Sequence, residues 1–81
     1  MKYLKQFNNQ LKNVRESKSL SHQMIAEYCL VDPSVVASWE SDNTEQRCYP
    51  SLDNLLDLCF KTSLPLESFV DLPTKSTTHQ L

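Results

Sequence analysis

The chain has 81 residues, 8 Lys or Arg against 10 Asp or Glu, a formal net charge of −2 and no glycine. A chain of this length buries only about 60 to 65% of its unfolded surface, so one small domain around one core is expected. The missing glycines exclude the P-loop and the dinucleotide fingerprint, whose phosphate cradles need backbone without a Cβ; no cofactor is expected, and no enzyme, because no spacing joins a nucleophile to a base.

No apolar run approaches the roughly 18 residues that cross a bilayer, and the opening MKYLKQFNNQL is too polar for a secretion signal. These features predict a cytoplasmic protein without a membrane segment. Cys29, Cys48 and Cys59 are odd in number and contain no CxxC pair, which fits neither a disulfide framework nor a zinc finger. His22 and His79 lie far apart and near no Cys, so no metal site is expected. Cys29 and Cys59 fall among apolar residues as small core side chains. Cys48 sits in a polar stretch and is the one thiol placed for redox sensing, with Arg47 its only basic neighbour.

In chain order, a first helix is predicted from about Lys2 to Ser17, with Leu4, Phe7, Leu11 and Val14 on an inward stripe. Ser21 caps a second helix, about His22 to Cys29, that buries Ile25, Ala26 and Cys29. Asp32 at the cap and Pro33 at the first helical position start a third, Pro33 to about Glu40, turning Val36 and Trp39 inward. The segment SDNTEQRCYP, residues 41–50, reads as a polar loop. Ser51 caps a fourth helix with Leu52, Leu55, Leu56, Cys59 and Phe60 on a wide apolar face, Asp53 in its first turn and Lys61 in its last. A short fifth helix, led by Pro65, is predicted within 64–70, and residues 73–81 have little to bury and read as a disordered tail. No period-2 strand is found, so the fold class is all-α.

The run from Leu20 to Glu40, LSHQMIAEYCLVDPSVVASWE, resembles the helix-turn-helix of the Cro and phage-repressor family, also called the xenobiotic-response-element family. Leu20, Ile25, Ala26, Val31, Val36, Trp39 and Glu40 fall on its pattern; Leu11, Arg15 and Lys18 match its first helix, and Pro50, Ser51, Leu52 and Leu55 its fourth. The resemblance covers about Leu4 to Val70 and implies a compact five-helix lambda-repressor-like DNA-binding domain in residues 1–72. Two departures stand out: the family's glycine in the turn is Leu30, and the glycine that often follows the Trp-Glu pair is Asp42. A left-handed backbone at Leu30 costs on the order of 1 kcal/mol, unless the turn differs.

The resemblance also implies roles. Pro33, Ser34, Val35 and Ser38 would meet base edges, while His22, Gln23, Asn43, Thr44, Gln46 and Arg47 would hold phosphates of double-stranded DNA. Arg15 and Glu40 would pair to tie the first helix to the end of the third. A homodimer would place two third helices about 34 Å apart on DNA, with Leu64, Leu66, Phe69 and Val70 either making the dimer contact or closing the core.

Chemistry qualifies this expectation. Serine hydroxyls and a valine methyl give none of the two-point base discrimination of Arg, Asn or Gln, worth about 1 to 3 kcal/mol each. Residues 1–18 carry five basic side chains against one acid, whereas 19–46 carry no Lys or Arg against Glu27, Asp32, Glu40, Asp42 and Glu45. Phosphate neutralisation supplies most non-specific affinity, so the acids keep open a second reading in which this face docks a protein, a larger regulator or a toxin.

Overall fold

In a computed structural model the chain is described over residues 2–72, as four α-helices and two 3-10 turns with no strand among the described residues. The helices are α1, Phe7–Ser17; α2, His22–Cys29; α3, Pro33–Trp39; and α4, Leu52–Thr62. The expected tail, 73–81, lies outside the described residues. No helix among them is long and apolar enough to cross a membrane.

The first helix does not run unbroken from Lys2. Residues Lys2–Leu4 form a 3-10 turn, and the α-helical ladder opens with Gln10 N–H on Gln6 O at 2.9 Å. The cause is tertiary: Tyr3 O, which in a continuous helix would accept from Phe7 N–H, accepts from Asp71 N–H at 2.8 Å. That bond joins the two ends of the described chain. The fifth helix is likewise reduced to a 3-10 turn, Leu66–Ser68.

Two helix starts follow their serines. Ser21 Oγ accepts from Met24 N–H at 3.1 Å, and Met24 Sδ takes the place of the usual Glu or Gln by accepting from Ser21 N–H at 3.5 Å. Ser51 Oγ accepts from Asn54 N–H at 3.1 Å while Asn54 Oδ1 accepts from Ser51 N–H at 3.3 Å. Asn54 also donates from Nδ2 to Cys29 O at 3.3 Å, so the start of α4 satisfies a carbonyl at the end of α2. Asp32 stands at the cap position of α3 but its carboxylate accepts no capping hydrogen bond, contrary to its expected role.

The core gathers Leu4, Phe7 and Leu11 of the N-terminal segment, Ile25, Ala26 and Cys29 of α2, Val36 and Trp39 of α3, Leu55 and Leu58 of α4, and Phe69 and Val70. Phe7 meets Trp39 edge to face with ring centroids 6.1 Å apart, a geometry the ring quadrupoles favour. Val14 packs partly buried against this cluster. α4 is turned differently from its predicted face: it buries Leu55, Leu58 and Thr62, whose hydroxyl donates back to Leu58 O, and leaves Leu52, Leu56 and Phe60 exposed. Its sequence is apolar on two stripes, and only packing selects between them.

Candidate nucleic-acid interface

α2 and α3 pack on each other and are joined by Leu30, Val31 and Asp32 alone. Ala26 of α2 is 2% exposed and belongs to the core. Leu30 adopts φ 58°, ψ 46°, and its N–H bonds Ala26 O, so the left-handed turn persists without glycine. Its side chain is 90% exposed, so no burial offsets the strain of placing a Cβ in that region.

The end of α3 is anchored by Glu40. Arg15 Nε and Nη2 donate to its two oxygens at 2.8 and 3.0 Å, Arg15 Nη1 reaches Leu20 O at 3.3 Å, and His22 Nε2 lies 3.1 Å from Glu40 Oε1. One carboxylate thus links α1, the first residue of α2 and the residue that ends α3. Burial pushes the Glu40 carboxyl up, but hydrogen bonds from Arg15 and His22 outweigh it and hold it below the ordinary carboxylate range. The same bond to Glu40 raises the Arg15 guanidinium.

The loop after α3 is held from inside. Asn8, buried on α1, donates from Nδ2 to Ser41 O at 3.4 Å and to Asp42 Oδ1 at 3.2 Å. Asn43 Oδ1 accepts from Glu45 N–H at 2.9 Å, and Arg47 Nε donates to Ser41 O at 2.8 Å. Sequence reasoning missed Asn8 as the residue that positions this loop. A signal existed: Leu4, Asn8, Leu11 and Arg15 share an inward spacing of four, three and four, and polar groups on such a stripe require partners.

The expected contact residues fall into two groups. Pro33, Ser34, Gln23, Asn43, Thr44 and Gln46 are exposed along the start of α3, the start of α2 and the loop. Val35 is half-buried against the core, Ser38 donates its hydroxyl to Gln46 O at 2.7 Å, His22 is engaged by Glu40, and Arg47 has one donor committed to the loop. Of the dimer candidates, Phe69 and Val70 are buried in the core and Leu64 and Leu66 pack half-buried against it, so Phe69 and Val70 close the core and present no surface to a partner.

Of the five acids between residues 19 and 46, Glu40 is neutralised by Arg15, which leaves four: Glu27, Asp32 and Asp42 are exposed, as is Glu45. Among the thiols, burial first and then the nearby Asp57 charge push Cys29 up to about 11, and burial raises Cys59, while Cys48 is exposed. The chain matches no family model, no curated protein and no solved structure.

Proposed function

We propose that this chain is a small DNA-binding transcriptional regulator with a lambda-repressor-like helix-turn-helix, acting as a homodimer with α3 as its recognition helix. The observation that carries the reading is the packing of two short helices, α2 and α3, across a three-residue turn opened by an exposed, left-handed Leu30. Ser19 and Ser63 take the same left-handed backbone in this glycine-free chain, so it is the turn's geometry and not its strain that supports the reading. Around it, Pro33 and Ser34 face solvent at the start of α3, Gln23 flanks them from α2, and Asn43, Thr44 and Gln46 present polar groups from an internally braced loop.

Base readout rests on Ser34 and on the edge of Val35, so sequence preference derives mainly from DNA shape, and four acids keep non-specific affinity low. The test is fluorescence anisotropy with random-sequence duplex at about 50 and 200 mM salt, where neutralised phosphates make affinity fall steeply. Binding that weakens with salt and is abolished by Ser34→Glu supports the reading. That variant adds charge at an exposed position where an acid favours the helix, so lost binding with retained helicity is not a folding defect.

The four acids favour a second reading, a face that docks a basic surface of another protein. Absence of any duplex binding at the lower salt by a folded chain selects it.

A further inference from the structure

α4 carries an apolar stripe that no element covers among the described residues. Leu52, Leu56 and Phe60, spaced four apart and so on one face of the helix, are 65%, 41% and 80% exposed. Beside Leu52 opens an apolar groove of about 290 Å³, whose walls include Tyr3, Leu55, Leu66 and Leu72. The face therefore has a projecting ring at one end and a hollow at the other, with Leu56 midway between them.

That arrangement is self-complementary. A two-fold axis at Leu56 sets α4 of one copy antiparallel across α4 of the other and brings Phe60 of each to Leu52 of its partner. Rows four apart on two helices interlock at a crossing of about 50°, the commonest helix packing. We propose that this face is an isologous interface between two copies of the chain, with Phe60 of each seated in the groove beside Leu52 of the other. A knob and a hollow on opposite sides of one point close after a single rotation, so the face is shaped to receive a second copy of itself. The three stripe residues supply about half of the roughly 800 Å² that each partner gives to a standard interface, and the groove walls add to it.

The axis also fixes an electrostatic signature. Asp53, Asp57 and Lys61 follow one another at a spacing of four along one flank of the stripe, and the rotation brings Asp53 of one copy between Asp57 and Lys61 of the other. The like and the opposite charge offset each other at this rim, so association rests on the apolar stripe and changes little with salt, unlike DNA binding.

The inference deepens the dimeric part of the proposed function by assigning its surface, and its test contains no DNA, so the two fail separately. Sedimentation equilibrium of the 81-residue chain at about 0.1 and 0.5 M salt is expected to give a monomer–dimer equilibrium that changes little with salt. Phe60→Lys is expected to raise the dissociation constant by about tenfold or more with unchanged far-UV circular dichroism. A dimer indifferent to Phe60→Lys overturns the interface, and one that loosens steeply with salt, as an ionic contact does, overturns the apolar stripe as its basis. A chain that stays monomeric at all concentrations assigns the face to another occupant, residues 73–81 or a different protein, and also overturns it.

Discussion

Arg15 and Glu40, 25 positions apart, meet through two parallel hydrogen bonds of 2.8 and 3.0 Å. The pair sits where α1, α2 and the end of α3 converge, with Glu40 nearly inaccessible and Arg15 in contact with water. Removing one partner strands the other's charge. Glu40→Gln is expected to cost about 2 kcal/mol, less than the roughly 3 to 5 of a fully buried pair because solvent reaches Arg15. Urea unfolding followed by Trp39 fluorescence measures it.

The same carboxylate sets an acid limit. Its folded value is depressed below the ordinary 4.5, so its stabilisation is complete above that pH and is lost as pH falls through the lower folded value. Thermal melts at about pH 6 and about pH 3 are expected to show the gap between wild type and Glu40→Gln narrowing at acid pH.

Leu30→Gly is expected to stabilise the chain by about 1 kcal/mol. It relieves a left-handed Cβ and sacrifices little packing, since Leu30 is almost wholly exposed. A midpoint that falls in the denaturation curve would show that the turn's φ is not the source of strain.

The two faces of α4 should respond differently. Leu58→Ala, at a fully buried site, is expected to cost about 3 kcal/mol, whereas Phe60→Ala in dilute solution should stay within about 0.5 kcal/mol of wild type. Equal effects would refute the observed rotation of the helix.

Thiol labelling of the native chain with an aromatic disulfide near neutral pH is expected to show one fast thiol, Cys48. Cys29 requires unfolding, because burial and Asp57 hold its thiol protonated, and Cys59 lags for the same cause of burial.

Local chemistry made three helix starts readable from sequence. Ser21 and Ser51 cap as serines do, and Pro33 fixes the first turn of α3 whether or not Asp32 caps it. The break before Phe7 was not readable, because it is imposed by Asp71, a residue far along the chain. Nor was the rotation of α4: Leu52, Leu56 and Phe60 are as apolar as Leu55 and Leu58, and periodicity gives two equivalent answers. In the candidate interface, the exposed positions Ser34 and Gln23 followed from the resemblance, but the capture of Ser38 by Gln46 and of His22 by Glu40 depends on a loop and a contact that spacing does not encode.

The bond from Asp71 N–H to Tyr3 O means that the polypeptide enters and leaves the domain at one corner. A fusion made at residue 2 or at residue 72 is therefore attached at nearly the same point. Joining residues 2 and 72 by a short linker and opening the chain in the exposed stretch 43–46 would yield a circular permutant with its core intact, and with new ends located beside α3.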